Sequence, residues 1–356
     1  MSAVRGAVAP AAAPASLLLR LMSEADHARW DAYVERCAEA TFFHRAGWQQ
    51  VLEEGFGHPT WFMYAQADGR IDAILPLAQV KSRLFGNTLA SLPFCVYGGI
   101  AALHADAADA VDQAAQQLAA RLRVDHLEYR HLRPTHSGWL HQRLYATFRQ
   151  PLHAEPERNL LAIPRKQRAM VRKGIAAGLA STLEADTRRF FDCYADSVHR
   201  LGTPVFSRRY FALLQQVFGD ACEVLCVQRA NEPVCAVLSF RFRDEILPYY
   251  GGGGQLARTL AGNDFMYWEV MRRAAARGCR LFDFGRSKYG TGSFAFKKNW
   301  GFEPQPLHYD YQLHRASKLN LAQPLNARYQ LFIKAWRLLP LPLANALGPH
   351  IVRQLG

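Results

Sequence analysis

One order of elements occurs twice along this 356-residue chain: two helices, antiparallel strands, a helix, a strand and a closing strand. In the first half, Leu17–Met22 reads as a strand. Asp26–Ala38 reads as a helix with Trp30, Tyr33, Val34 and Cys37 on one stripe. A second helix covers Thr41 to Glu54, with Trp48, Val51 and Leu52 sharing a face. Thr60–Gln66 and Ile71–Val80 flank Asp68-Gly69, a hairpin signature. Ser91–Ile100 reads as a buried strand ending in a glycine pair, residues 105–123 as an Ala-rich helix and His126–Leu132 as the next strand. The second half repeats this grammar. It has helices at Arg165–Ala177, Arg188–Leu201 and Arg208–Phe218, then strands at Glu223–Gln228 and Val234–Phe242 joined by a turn at Asn231-Glu232-Pro233. The strand Ile246–Tyr250 is broken by Gly251–Gly254. Asn263 and Asp264 cap a helix that ends at Gly278, and Arg280–Phe284 and Leu307–Leu313 complete the unit.

Two units of this kind predict an α/β fold (α+β mixed sheets) built as a tandem duplication, visible in element order and not in residue identity. The expected divisions are a disordered Ala/Pro-rich lead-in over 1–16, lobes over 17–155 and 156–315, and an apolar, basic tail over 316–356. Pro10 and Pro14 interrupt any secretory apolar core in the lead-in. No apolar run approaches the roughly 18 residues of a transmembrane helix. A 50% hydrophobic composition is incompatible with a disordered chain. The formal net charge of +13 favours polyanionic partners: nucleic acid, phosphorylated sugars, pyrophosphate-linked substrates or anionic lipid. Most of the seven cysteines lie in apolar surroundings, which fits reduced, buried thiols and a cytoplasmic location. Cys222 and Cys226 have no second pair and no nearby His, so no metal site is expected.

Three stretches can carry chemistry. The strand–loop–helix–strand at 246–284 offers a helix N-terminus near Asn263, whose unpaired N–H groups favour an anion or a developing oxyanion. Its glycines miss the spacing of a pyrophosphate loop by one residue and lack a following Gly-Lys-Ser/Thr. In Phe282–Trp300, period two sets Asp283 opposite Phe282 and Phe284, and a carboxylate in a buried strand must be paired or sit at a cavity. Arg286 is the expected partner, and as a catalytic candidate Asp283 would position Arg286 or accept a proton, directly or through water. Of Lys297 and Lys298, one points outward and the other inward, where it can bind phosphate or stabilise an oxyanion. On the basic helix, Arg165, Arg168 and Arg172 fall at i, i+3, i+7 with no acid between Asn159 and Ala180. That arrangement costs stability unless an anion sits against it, and a phosphate-binding role follows; a merely solvated face is the other reading. The apolar tail with Lys334, Arg337, Arg353 and Trp336 suits either an interfacial helix on an anionic membrane or docking on the protein itself. Pro340 and Pro342 exclude one continuous helix.

The run Phe43-His-Arg-Ala-Gly-Trp48, the stretch Leu92–Gly99, the basic Pro164–Lys173, and Phe282-Asp-Phe-Gly-Arg-Ser287 through Phe296-Lys-Lys-Asn-Trp-Gly301 together resemble the Fem-type transferases. More narrowly they resemble the FemAB-like proteins associated with the exosortase/PEP-CTERM system of Gram-negative bacteria. The likeness covers about residues 17–315, and the Trp-Arg-Leu-Leu-Pro-Leu-Pro stretch of the tail also looks like that subgroup. It implies two GNAT-like lobes. Characterised Fem enzymes move an amino acid from aminoacyl-tRNA to an amino group of a peptidoglycan precursor, without CoA or metal. Carried over by motif, the family's donor-contacting lysine matches Lys297, with Lys298 adjacent, and acceptor phosphates would meet Tyr249, Tyr250 and Arg286. The chain departs from the peptidoglycan enzymes in lacking the coiled-coil arm that some use near tRNA. The PEP-CTERM association implies an exopolysaccharide-linked acceptor. The expectation is an N-acyl or aminoacyl transferase with no bound cofactor. Its co-substrate is aminoacyl-tRNA or acyl-CoA and its acceptor a phosphorylated or saccharide amine, with tRNA and the inner membrane face as further partners. The rivals are an acyl-CoA-dependent GNAT N-acetyltransferase and a non-catalytic membrane- or polysaccharide-binding module.

Overall fold

The computed structural model describes residues 17–82, 85–319 and 327–356; the expected lead-in over 1–16 lies outside them. The first half contains β1 (Leu18–Leu21), α1 (His27–Arg36), α2 (Gly47–Phe56), β2 (Thr60–Ala67), β3 (Arg70–Ser82), β4 (Gly86–Ser91) and β5 (Ala101–Ala102). It continues with α3 (Ala105–Arg121), β6 (His126–His131), β7 (Leu140–Gln142) and β8 (Tyr145–Pro151). The second half runs α4 (Pro156–Ala162), α5 (Arg165–Ala176), β9 (Ala180–Glu184), α6 (Arg188–Leu201), α7 (Arg208–Phe218), β10 (Cys222–Arg229), β11 (Glu232–Phe242) and β12 (Glu245–Gly253). Then come α8 (Gln255–Thr259), α9 (Gly262–Ala276), β13 (Leu281–Asp283), β14 (Ser287–Lys288), α10 (Gly292–Asn299), β15 (Pro304–Pro306), β16 (His308–Leu313), α11 (Ala327–Leu338) and α12 (Leu341–Val352).

Among the described residues the strands form two eight-stranded sheets, ordered β1-β2-β3-β4-β6-β16-β7 with β5 on β3, and β14-β8-β13-β12-β11-β10-β9 with β15 on β8. The duplicated grammar is therefore realised as two mixed sheets. The sheets do not divide where the expected lobe boundary near residue 155 falls. β8, from the first half, pairs with β13, β14 and β15 of the second sheet. β16, expected to close the second unit, pairs along its length with β6 of the first. Each sheet is completed by a strand from the other half.

Several local expectations change in the folded chain. Of the expected strand Ser91–Ile100, only Ser91 belongs to β4; residues 92–100 are irregular, with Leu92 and Phe94 at φ 52° and 70°. Gly251–Gly253 do not break β12; they pair with Val237, Ala236 and Cys235 of β11. Gly252 is glycine because α6 packs against it: a Cβ there would lie 2.6 Å from Ser197 Cβ, while one on Gly253 would lie 2.6 Å from Ala257 of α8. The turn between β10 and β11 falls on Ala230 and Asn231, both left-handed, which moves Pro233 into the strand beside a bulge.

The halves share one aromatic core. Phe42 stacks on Phe240 at 4.3 Å, and Trp48 lies 5.1 Å from Phe218. All seven cysteines are free and buried. The tail docks on the protein as two helices that part at Leu339-Pro340. Trp336 is buried, its carbonyl lies 3.2 Å from His199 Nε2, and Arg337 donates to the Leu201 carbonyl. Trp336 is thus an anchor to α6, not an interfacial residue. Among the described residues no helix is long and apolar enough to cross a membrane.

A charged cluster fastens the β6–β7 loop to α3 and β16. His136 Nε2 lies 3.1 Å from Asp112 and its Nδ1 3.8 Å from the buried Asp310, which also accepts from His141 at 2.8 Å. Burial opposes the His136 charge, but the two carboxylates outweigh it and push its pKa up to about 9. The same contacts hold Asp112 and Asp310 below the ordinary carboxylate range, against their own burial. A raised histidine stabilises fully below its unfolded pKa near 6.5 and loses this as pH rises through about 9. Lowered carboxylates stabilise above about 4 and lose it as pH falls. The stability difference between wild type and His136→Asn should therefore be flat between about pH 5 and 6.5 in thermal unfolding. The whole molecule loses stability below about pH 6.5, because burial lowers His44 and His131 to about 4. The alkaline decline should amount to about 1–2 kcal/mol after solvent screening, and His136→Asn should remove it. Separately, Gly252→Val should lower stability by about 1–3 kcal/mol in the same measurement, because α6 has to move.

Candidate active site

The second sheet opens where its two parallel strands part. β12 and β13 pair only at Glu245 with Leu281 and Ile246 with Phe282. Beyond that, β12 bulges at Tyr249, where the register against β11 jumps between Leu238 and Ser239, while β13 stops at Asp283. Between Pro248–Gly251 on one side and Phe284–Ser287 on the other lies a cavity of about 460 Å³. Phe94 and Val96 of the irregular first-half segment, Tyr267 of α9 and Val352 of α12 contribute to its walls.

Lys297 reaches this cavity from α10. Thr291 caps that helix, accepting the Phe294 N–H. Adjacent helical positions lie about 100° apart, so only one of two neighbouring lysines can turn inward. It is Lys297; Lys298 is exposed and does not line the cavity. The Lys297 ammonium donates to the Gly285 carbonyl at 2.9 Å and the Arg286 carbonyl at 3.0 Å. It also sits 5.6 Å from the rings of both Phe148 and Phe284. Burial pushes its pKa down to about 7; Asp283 nearby favours the charge and Arg286 opposes it.

Asp283 is buried, as its place in the strand predicted, but its partner is not Arg286. It accepts from Tyr97 at 2.9 Å, Thr147 at 3.2 Å and the Gly285 N–H at 2.8 Å, and Arg149 Nε lies 3.3 Å away. Three of these partners come from the first half of the chain, which sequence order could not disclose. Arg286 instead donates to Tyr309 at 2.7 Å and lies over the Tyr145 ring at 4.8 Å. Its remaining donors have no protein partner among the described residues, and it borders both the main cavity and a smaller one of about 150 Å³ against the first sheet.

The other expected residues divide. Tyr249 and Tyr250 line the cavity, with hydroxyls engaged by the Phe94 carbonyl at 3.0 Å and by Tyr210 at 2.9 Å. Asn263 does not line it, and it is not a cap: α9 is preceded by Ala261 in the left-handed region, without a side-chain cap. Asp264 in that first turn faces Trp300 and Gln167, and burial raises its pKa. A carboxylate already occupies the place where an anion was expected. Arg165, Arg168 and Arg172 do not line the cavity either. α5 buries Gln167, Val171 and Gly174 against α9 and leaves Arg165 and Arg172 exposed, while Arg168 is half-buried and donates to the Leu161 carbonyl. Sequence reasoning missed Ser287, whose buried Oγ lines the cavity without a partner, and Tyr309, which orients Arg286. The apolar alternation of Tyr309 and Tyr311 was the available signal for the latter.

Residues 162–298 match the model of the acetyltransferase (GNAT) domain, a span ending on the Lys297-Lys298 pair. Among solved structures, FemX is similar with a TM-score of 0.66 at 14% identity, over 89% of this chain and 100% of its own. The C-terminal domain (DUF2156) of a putative lysylphosphatidylglycerol synthetase from Agrobacterium fabrum gives 0.55 at 13%, over 82% and 92%. A tandem GNAT protein from the clavulanic acid biosynthesis pathway gives 0.53 at 12%, over 84% and 98%. No curated protein matches the chain. At these identities the likeness is one of fold, and the chain has the fold of tandem GNAT-like lobes, with its GNAT domain match in the lobe that holds Lys297.

Proposed function

We propose that the chain is a Fem-like N-acyl or aminoacyl transferase, of the FemAB-like subgroup associated with the exosortase/PEP-CTERM system. It moves an activated acyl group to an amine on a phosphorylated or saccharide acceptor of the cell envelope or exopolysaccharide. The observation that supports this reading best is the meeting of Lys297 and Arg286 at one cavity, where β12 and β13 part. The attacking amine forms a C–N bond with the acyl carbonyl, whose π electrons collect on oxygen. Collapse breaks the donor's C–S or C–O ester bond; the departing sulfur or oxygen takes the bond pair and, through solvent, the proton that the nitrogen loses. Two Lys297 hydrogens are committed to carbonyls, so the third meets the oxyanion. Asp283 is a positioning residue. By accepting the Gly285 N–H it fixes the turn whose carbonyls hold Lys297, which replaces the expected pairing with Arg286. Arg286, with donors to spare, binds an anionic substrate group.

The GNAT domain match favours acyl-CoA as the donor, whereas the Fem resemblance carries aminoacyl-tRNA with it. A thermal-shift comparison distinguishes them, because a ligand at 100 times its Kd adds about 2.7 kcal/mol to stability. If acyl-CoA is the donor, acyl-CoA raises the midpoint and charged tRNA does not. A shift by neither removes both donors.

Lys297→Met should lower turnover about 100-fold or more while leaving thermal unfolding in place. Because the oxyanion role needs the ammonium, wild-type turnover should decline as pH rises through about 7, a limb that Lys297→Met lacks. Unchanged turnover removes Lys297 from the chemistry. Asp283→Ala should behave differently, costing about 1–3 kcal/mol in denaturant unfolding, since it strands the Thr147 hydroxyl and the Gly285 N–H while Arg149 keeps Glu245.

A further inference from the structure

We propose that the outward face of the two C-terminal helices docks on an anionic lipid surface. The inward face is settled: Trp336, Ala344, Gly348 and Val352 are buried, and a Cβ on Gly348 would lie 2.8 Å from the Val205 carbonyl oxygen. The opposite face has no such partner. Leu331 and Leu338, one heptad apart on α11, are 69% and 85% exposed, and Leu343 and Leu347 on α12 are 46% and 42% exposed. Lys334, His350 and Arg353 are exposed around them, and Arg337, though exposed, is held to α6 by the Leu201 carbonyl. After Asp310 the chain carries no Asp or Glu at all. Solvated helices ordinarily mix charge signs, whereas exposed leucines among cations alone are the composition of an interfacial helix.

Charge selects the occupant. A second copy meeting this face symmetrically sets cations against cations, while an anionic lipid surface complements them, each basic residue adding about fivefold to partitioning. Each helix has 12 residues and is about 18 Å long, too short for a hydrocarbon core of about 30 Å, so the pair lies on the surface and does not span it. Val352, on the buried face, also lines the Lys297 cavity, so α12 lies between that cavity and the docked face. The docking itself does not depend on the transferase reading.

The test is co-sedimentation of the full chain with vesicles of phosphatidylglycerol and phosphatidylcholine in equal parts, against pure phosphatidylcholine, at low and high salt. Binding to the anionic vesicles should be at least tenfold tighter and should fall with salt. The double variant Leu338→Glu with Leu347→Glu should lose at least tenfold while its thermal unfolding stays unchanged, because both side chains are exposed. Absent or salt-independent binding, equal binding to both vesicles, or an unaffected double variant overturns the proposal. So does a concentration-dependent dimer that the double variant abolishes without any vesicle binding, which assigns the face to a second copy. Each of these failures leaves the turnover predictions for Lys297 standing.

Discussion

The segment from Leu92 to Gly99 ties the two halves together, and the site depends on that tie. It is neither strand nor helix, so its backbone carbonyls need partners from elsewhere. Leu92 and Cys95 give theirs to Arg130, Phe94 to Tyr249, Val96 to Tyr309, and Gly99 to His44. Arg130 is itself buried and paired with Glu128 at 2.7 Å. Two left-handed non-glycine residues, Leu92 and Phe94, persist because this surrounding network over-determines them. Gly99 shows how little room is left: a Cβ there would lie 2.1 Å from the His131 ring. From this frame Tyr97 reaches across to Asp283, and Phe94 and Val96 reach the cavity wall.

Strand exchange extends the same dependence. Thr147 and Arg149 lie on β8, which the second sheet borrows from the first half, and both face Asp283. Tyr309 lies on β16, which the first sheet borrows in return, and it holds Arg286. Cutting the chain between its halves removes three of the four partners of Asp283, and parting the two sheets removes the tyrosine that orients Arg286. The shared aromatic core around Phe42, Trp48, Phe218 and Phe240 keeps that geometry fixed, since close-packed interiors transmit displacement and do not absorb it.

Much of the secondary structure was legible because it rests on local signals. The Asp68-Gly69 turn, the Trp30–Tyr33–Val34 stripe and the cap at Gly278 are all set within a few residues. Ser91–Ile100 misled because an apolar run is equally compatible with a strand and with a buried irregular segment. The glycines of β12 misled for a related reason: close approaches by α6, α8 and α9 are tertiary facts, and in sequence they look like a break. In the site, Lys297 and the burial of Asp283 were readable from motif and alternation. The partner of Asp283 was not, because Tyr97, Thr147 and Arg149 are more than 130 residues away in sequence. The basic stripe on α5 was read correctly as a shared face, but nothing local says which way a helix turns its charges relative to a distant cavity.

Two cations meet in the cavity, and their chemistry differs in kind. A guanidinium stays charged in any protein environment and offers a planar fork, so Arg286, stacked on Tyr145 and bonded to Tyr309, is a fixed positive group. An ammonium responds to burial, and Lys297 is poised near neutrality by opposing forces: desolvation and Arg286 push its proton off, and Asp283 holds it on. The permanent charge of Arg286 is thus part of what makes Lys297 titratable, and the buried carboxylate keeps it from being neutral outright. Because Asp283 owes its own placement to Tyr97, Thr147 and Arg149, the protonation of one lysine in the second lobe is set by side chains delivered from the first.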